Sequence, residues 1–134
     1  MGLERFLEAQ ERSYKTALSE IRYGQKMSHW MWYIFPQLKG LGYSSTAKYY
    51  GIEGREEAEA YLAHPVLGQR LREISGELLK LESCDAGYVM GYPDDLKLKS
   101  SMTLFLEVGG ETVFQQVLDK FFDGEKDRKT LELL

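Results

Sequence analysis

Apolar residues that recur with the period of an α-helix are the feature that most constrains the fold of this sequence. In its first 23 residues, the apolar and aromatic residues that recur at helical spacing are Leu3, Phe6, Leu7, Tyr14, Ala17, Leu18 and Ile21. Residues spaced in this way share one face of a helix. Gly24 follows where a left-handed C-cap belongs, because glycine adopts that conformation without steric cost. The pattern predicts an amphipathic helix over residues 3–23 that must bury one face against other elements.

Similar helix signals return along most of the chain. Ser28 predicts the start of a short apolar helix and Pro36 its end, because the residue before a proline avoids the α region. Pro65 suits the first turn of a later helix. After the first helix, we predict helices over residues 29–35, 46–50, 55–64, 66–81, 113–122 (capped by Thr112) and 128–134. Residues 86–95 are rich in turn-forming residues and are expected to form a joint.

Residues 95–108 fit two different patterns. Alternation, which predicts a strand, is formed by Leu96, Leu98, Met102, Leu104, Leu106 and Val108. A helical stripe is formed by Leu98, Met102, Phe105 and Leu106. In the helical interpretation, Asp94 would be the N-cap and Gly109 and Gly110 would end the helix. Periodicity alone leaves both structures open.

Length and charge limit the architecture and the classes of partner. A chain of 134 residues fits a single domain over residues 1–134, which would bury roughly two thirds of its unfolded surface. The net charge of -4 and the pI near 5.3 disfavour general binding to nucleic acid or to anionic lipid. No apolar run reaches the roughly 18 residues that a membrane span needs. We therefore expect no membrane association through a spanning helix.

Cysteine and histidine usage limits the chemistry. Cys84 is the only cysteine, so no intramolecular disulfide can form, which suits a reducing cytoplasm. The first ten residues lack a secretory apolar run, and a cytoplasmic location is expected. His29, His64 and Cys84 lack the spacing of a zinc site, and no dinucleotide or phosphate-binding loop motif occurs. We expect neither a metal nor a cofactor.

Four stretches of the sequence resemble a known bacterial family. They are SHWMWYIFPQ (28–37), AYLAHPVLGQRL (60–71), GYPDDLKLKSSMTLF (91–105) and TLELL (130–134). Together they are similar to the domain of unknown function 1810 (DUF1810), sometimes labelled calpastatin, over nearly the whole chain. The resemblance implies an all-α fold of several short helices and favours a helix over residues 95–108. It implies no established activity. With the helices predicted above, we expect a compact bundle of about six to eight short helices.

The aromatic stretch 28–37 contains the first candidate site residues. His29 is a candidate general base because an unperturbed imidazole titrates near neutral pH, at about 6.5. Packing of His29 inside the protein is the competing interpretation. Trp30 and Trp32 would point about 200° apart on a helix, so one of them should be core. Trp32 shares a side with His29 and is the better ligand-binding candidate. Gln37 must find partners for its amide and is expected to orient His29.

The second candidate constellation is PDDLKLKSSMT, residues 93–103. If a helix begins at Asp94, then Asp94, Lys97 and Ser101 lie along one side of it. Its free backbone amides, with nearby lysine and serine side chains, could hold a phosphate or carboxylate group. The candidate ligand-binding residues from this stretch are Asp94, Asp95, Lys97, Ser100 and Ser101. Capping and surface ion pairs are the alternative role of the two aspartates.

Two functions from different classes follow from these residues. The first is a helical domain that binds a small anionic or nucleotide-like molecule in a polar pocket formed by both stretches. If such a domain turned over a substrate, His29 with Asp94 or Asp95 would be its catalytic acid/base pair, and hydrolysis the expected reaction. The second is a protein-protein interaction module without enzymatic activity. Its exposed aromatics would be Tyr43, Tyr49 and Tyr50.

Overall fold

The chain folds into an arrangement of helices connected by short loops. The structure, a computed structural model, describes residues 2–134, and these residues form nine α-helices and no β-strand. The helices are α1 (Glu4–Tyr23), α2 (Met31–Ile34), α3 (Ser45–Tyr50), α4 (Arg55–Ala63), α5 (Leu67–Leu79), α6 (Ala86–Met90), α7 (Asp94–Gly109), α8 (Thr112–Phe122) and α9 (Arg128–Leu133). The all-α class is confirmed. The number of helices exceeds the predicted six to eight because the expected joint at 86–95 contains α6, capped by Asp85 through the Tyr88 amide. The expectation of one domain over residues 1–134 stays a prediction.

The ambiguous stretch 95–108 is helical and lies at the centre of the fold. It belongs to α7, which packs against α4, α6, α8 and α9. Side chains are buried on several sides of this helix, at Leu98, Ser100, Ser101, Met102, Thr103, Leu104 and Phe105. A helix covered on several sides needs no polar face, and its sequence therefore lacks the single apolar stripe that distinguishes a helix from a strand.

Aromatic side chains connect the principal helices through the core. The Phe6 ring of α1 meets Tyr61 of α4 edge to face, with 5.2 Å between ring centroids. Tyr61 lies 5.3 Å from Phe105 of α7, and Phe105 lies 6.2 Å from Phe114 of α8. All four rings are fully buried. Aromatic pairs of this geometry contribute about 0.5–1.5 kcal/mol each beyond the burial of their area.

The end of α1 and the turn that follows it place the aromatic stretch. Gly24 adopts a left-handed conformation with φ of 99°, as predicted, and ends α1. Ser28 does not cap α2, and the prediction of a helix from residue 29 is wrong at that end. The Ser28 hydroxyl donates instead to the Glu20 carboxylate, and α2 begins only at Met31. Its end before Pro36 agrees with the prediction.

Glu20 is a buried carboxylate in the last turn of α1, and hydrogen bonds surround it. It accepts the backbone N–H of Met27 at 2.7 Å, that of Ser28 at 3.0 Å and the indole N–H of Trp30 at 2.9 Å. Burial alone would raise the pKa of Glu20, but the hydrogen bonds from Ser28, Met27 and Trp30 outweigh it, and the pKa is lowered. The ionised carboxylate thus fixes residues 27–30 against α1.

Residues 39–51 form an excursion that leaves the core and returns to it at the same place. Lys39 N–H donates to the Ile52 carbonyl at 2.9 Å, and Ile52 N–H donates to the Gln37 carbonyl at 2.8 Å. The excursion carries α3, which has no buried residue. A side chain at Gly51 would come within 2.7 Å of the Lys39 backbone, so the two chain segments can approach each other only at a glycine.

Arg5 fastens the far end of this excursion. Its guanidinium donates to the carbonyls of Tyr49 at 2.8 Å and Gly51 at 2.9 Å, and to the Glu57 carboxylate at 2.9 Å. Because one planar group holds α1, the end of α3 and α4 together, the excursion is fixed at both ends.

None of the helices formed by residues 2–134 combines the length and the apolarity that a membrane crossing requires.

Replacing Glu20 with glutamine is expected to destabilise the protein by about 1–3 kcal/mol at pH 7, because an amide N–H₂ then faces the donors that the carboxylate accepted. The pKa of Glu20 is lower in the folded protein than its ordinary value of 4.5. Its contribution is therefore complete above that value and is lost as the pH falls through the lowered pKa. Urea unfolding of both proteins at pH 7 and at about pH 3 measures this difference.

Glu132→Gln is the matched control for this substitution, since Glu132 is exposed on α9 and forms no ion pair among residues 2–134. It should change the free energy of unfolding by less than about 0.5 kcal/mol. The role assigned to the Glu20 carboxylate would be contradicted if both variants lost the same free energy of unfolding. It would also be contradicted if the loss for Glu20→Gln did not become smaller at low pH.

Candidate functional site

A cleft of about 520 Å³ opens between α2, the excursion, α7 and α9. The segment after α2 contributes Gln37, and α2 itself contributes Trp32. Across the cleft, the first two turns of α7 contribute Lys97, Lys99 and Ser100. The excursion forms a third wall with residues 41–44, and the start of α9 forms a fourth. Clefts that bind small molecules in proteins have volumes of about 300–1,000 Å³, and this one falls in that range.

The cleft brings together half of the predicted site residues. Trp32, Gln37, Lys97 and Ser100 line it, although the first two and the last two come from separate stretches of sequence. Trp30 belongs to the core and is 1% exposed, which leaves Trp32 as the tryptophan at the cleft.

The remaining predicted residues, His29, Asp94, Asp95 and Ser101, do not line the cleft. His29 is exposed on the turn before α2, and only its carbonyl is hydrogen-bonded, to the Tyr33 hydroxyl at 3.3 Å. Because the turn is held against α1 at residues 27–30, α2 starts too late to place His29 beside Trp32 on one helix face. Gln37 makes no hydrogen bond with His29, contrary to the expectation that it would orient the imidazole.

The two aspartates at the start of α7 have separate structural roles. Pro93, not Asp94, occupies the N-cap position. Asp95 accepts the Leu96 backbone N–H at 2.9 Å and forms no ion pair within residues 2–134, while Lys99, one turn further along α7, pairs with Glu125 at 3.2 Å. Ser101 is fully buried, and no hydrogen-bond partner for its hydroxyl lies within residues 2–134. These three observations place Asp94, Asp95 and Ser101 in the framework of α7.

Asp94 lies between two lysines, and each lysine covers a tryptophan. Its carboxylate pairs with the Lys26 ammonium at 2.8 Å and with the Lys97 ammonium at 3.3 Å. Lys26 stands 5.0 Å from the ring centroid of Trp30, and Lys97 stands 4.7 Å from that of Trp32. Such cation–π contacts contribute about 0.5–2 kcal/mol depending on desolvation. Asp94 therefore positions Lys97 over the indole that lines the cleft, without lining it.

The charge in the cleft is predominantly positive. Lys97, Lys99 and Lys129 line it, and Asp127 is the only carboxylate that does so. The Asp127 carboxylate caps α9 by accepting the Thr130 backbone N–H at 3.0 Å and its hydroxyl at 2.6 Å. Lys129 is exposed and forms no ion pair within the described chain. Asp94 and Glu125 pair with Lys97 and Lys99 from outside the lining, so among residues 2–134 Lys129 is the lysine of the cleft whose charge is free to meet an entering anion.

Two uncharged polar groups of the cleft also lack a hydrogen-bond partner among the described residues. The Trp32 indole N–H and the Gln37 carboxamide make no hydrogen bond within residues 2–134. The Ser101 hydroxyl is the one unpaired polar side-chain atom that those residues seal from solvent. The Trp32 and Gln37 groups are therefore accessible from outside the protein. The Trp32 indole therefore offers a ligand one hydrogen-bond donor. The Gln37 carboxamide offers it two donors and a neighbouring acceptor.

Sequence reasoning missed Lys99, Lys129 and Asp127 as cleft residues. The sequence predicts only that Lys129 belongs to a terminal helix, and no local pattern indicates that it lines a cleft. Its position depends on a tertiary hydrogen bond, in which the Asp127 backbone N–H donates to the Thr103 hydroxyl of α7 at 2.9 Å. For Lys99 the sequence does give a weak indication of a site residue, because it lies two residues after Lys97 within a predicted site.

The tyrosines of the alternative interaction surface are divided between different depressions. Tyr43 is 81% exposed and lines the cleft described above. Tyr49 and Tyr50 line a separate polar depression of about 280 Å³ with Arg12 and Tyr33. Tyr50 is also packed against the Phe6 and Tyr33 rings. These three side chains do not line one common depression.

The fold and the cleft define an all-α protein with a lysine-rich cleft at the edge of a helical core. The chain matches the model of the family described as protein of unknown function DUF1810 over residues 1–134, and it belongs to that family. Among solved structures, it is similar to the conserved hypothetical protein Rv1873 from Mycobacterium tuberculosis, with 46% sequence identity and a TM-score of 0.97. That similarity covers 98% of this chain and 95% of the other. No match was found among curated proteins.

Replacing Asp94 with asparagine is expected to lower the free energy of unfolding by about 1–2 kcal/mol, because the Lys26 side chain is only 8% exposed and loses its carboxylate partner. Asp95→Asn removes the same charge from the first turn of α7 but breaks no ion pair, and should cost less than about 1 kcal/mol. Thermal or urea unfolding compares the two variants. Equal costs would show that the effect belongs to the helix dipole and not to the pairs with Lys26 and Lys97.

Proposed function

We propose that the cleft binds a small molecule that carries a phosphate or carboxylate group together with a planar ring. The observation that carries this proposal is the combination of three lysines, a half-buried indole and one carboxylate that already caps α9, all in one cleft. Lysine ammonium groups bind phosphate and carboxylate oxygens through charge-assisted hydrogen bonds. Trp32 also lines the cleft, and the part of its indole that Lys97 leaves accessible offers a surface on which a ring can stack.

The availability of the three lysines differs. Lys129 forms no ion pair in the described chain, and the partner of Lys99, Glu125, is 74% exposed in its side chain. An exposed ion pair of this kind contributes about 0–1 kcal/mol, so an anion can displace Glu125 at little cost. Lys97 is held by Asp94 and contributes its charge without leaving Trp32. Lys99 and Lys129 are therefore the principal anion ligands in the proposal.

The proposal is for binding and does not include hydrolysis. The lining of the cleft contains neither of the two histidines nor the cysteine. His64 accepts the backbone N–H groups of Val66 and Leu67 through Nδ1, at 3.1 Å and 3.2 Å, and so caps the start of α5. The acid/base pair expected from the sequence, His29 with Asp94 or Asp95, lies outside the lining, and Asp94 is engaged by two lysines.

Lys129→Gln is expected to weaken the binding of phosphate-bearing ligands by about tenfold, because a charge-assisted hydrogen bond is lost from the cleft. Titration calorimetry with nucleoside monophosphates, ribose 5-phosphate and inorganic phosphate measures the affinities. Binding should also weaken as the salt concentration rises, since the lysines of the cleft are partly exposed.

Lys15→Gln is the matched control, because Lys15 is an exposed lysine of α1 without an ion pair in the described range and does not line the cleft. It removes the same charge and should leave affinity within about twofold of the unsubstituted protein. Absence of binding by every phosphate compound at millimolar concentration, or equal weakening by Lys129→Gln and Lys15→Gln, would refute the proposal.

A further inference from the structure

The part of the cleft formed by Trp32 and Gln37 limits the size and chemistry of the ligand more than the lysines do. Trp32 and Gln37 line the cleft and also a small adjoining cavity of about 10 Å³. A cavity of that size holds at most about one water molecule. Gly42 and Ala47 narrow the same place, since a Cβ at Gly42 would lie 2.7 Å from the Ala47 Cβ. A ligand that reaches Gln37 must therefore end there, and Gln37 meets the edge of the ligand.

The Gln37 carboxamide is suited to recognise an edge with a neighbouring donor and acceptor. Its carbonyl oxygen and its N–H₂ group lie side by side in one plane, and neither is paired within residues 2–134. Its main-chain carbonyl is committed to the Ile52 N–H, which fixes the residue without using the side chain. Glutamine side chains recognise nucleobases through such paired hydrogen bonds, as with the N6 and N7 edge of adenine.

Lys97 places a positive charge directly beside the indole ring of Trp32. Its ammonium lies 4.7 Å from the Trp32 ring centroid, so the indole surface and a positive charge are immediate neighbours. Lys99 and Lys129 extend the positive charge along the same cleft. A ligand that fits would carry its ring at one end and its anionic group a few bonds away at the other.

Three kinds of small anion satisfy these features to different degrees. A sugar phosphate supplies the charge and hydroxyl groups but no ring for Trp32. A simple aromatic acid supplies a ring and a charge but no edge with a neighbouring donor and acceptor for Gln37. A nucleoside monophosphate supplies the stacking ring, the hydrogen-bonding edge and the phosphate at the opposite end.

We infer that the ligand of the cleft is of the nucleoside monophosphate class and that Gln37 is the residue that selects its base. This inference rests on the proposed function, since it requires that the cleft binds anions. In this arrangement, the base stacks on Trp32 and pairs along its edge with Gln37, while the phosphate binds Lys99 and Lys129. A site that hydrogen-bonds a ligand edge discriminates against analogues that lack it, because the polar groups of the site are then left unpaired.

Titration calorimetry on the full chain with two sets of probes tests the inference. The first set is adenosine, guanosine, cytidine and uridine monophosphates, and the second is ribose 5-phosphate and inorganic phosphate. At least one nucleotide is expected to bind about tenfold or more tightly than ribose 5-phosphate. Gln37→Leu should reduce the differences in affinity among the four nucleotides to about twofold or less, while the advantage that stacking on Trp32 gives them over ribose 5-phosphate remains. Gln37→Glu, which keeps an acceptor and loses the donor, should change which base is preferred.

The outcomes separate this inference from the proposed function. If ribose 5-phosphate binds as tightly as every nucleotide and Lys129→Gln weakens both, the cleft binds anions and the base-selecting role of Gln37 is wrong. If no phosphate compound binds, both proposals fail. If the preference for one base over the others survives in Gln37→Leu, with an unfolding midpoint like that of the unsubstituted protein, Gln37 is not the selecting residue and the inference is overturned.

Discussion

The hydrogen bonds of the Glu20 carboxylate are the interaction on which the arrangement of the cleft depends. After Gly24 ends α1, the chain must reverse and return along the core. Glu20 fixes this reversal by accepting two backbone N–H groups and the indole N–H of Trp30. Trp30 is thereby held in the core. α2 begins directly after the buried Trp30, and Trp32 in its first turn lines the cleft.

Asp94 links this reversal to the opposite wall of the cleft. It pairs with Lys26, which follows Gly24 closely, and with Lys97 on α7. The two lysines and the two tryptophans thus form a layer in which one carboxylate balances charges that would otherwise repel. The Lys97 charge is largely compensated before any ligand arrives, whereas that of Lys129 is not. Affinity for an anion should therefore depend more on the lysine that is uncommitted than on the one nearest the ring.

The sequence predicted most of the helices, because their starts and stops are local signals such as Gly24 and Pro36. It could not decide between a strand and a helix over residues 95–108 from periodicity, since the central helix α7 is covered on several sides. The site was predicted only in part for the same kind of reason. Trp32 and Gln37 lie on either side of the local helix end, and their exposure could be inferred. Lys129 reaches the cleft only through the packing of α9 on α7, which no local pattern encodes.

The excursion over residues 39–51 determines how the cleft can respond to a ligand. It carries no buried residue in α3, yet both of its ends are fixed, by the hydrogen bonds between residues 37–39 and Ile52 and by the Arg5 guanidinium. A wall that is anchored at both ends is largely formed before binding, so little ordering entropy opposes a ligand. The buried Arg5 and Gly51 thus contribute to binding indirectly. They hold residues 41–44 opposite α7, where the cleft needs a third wall.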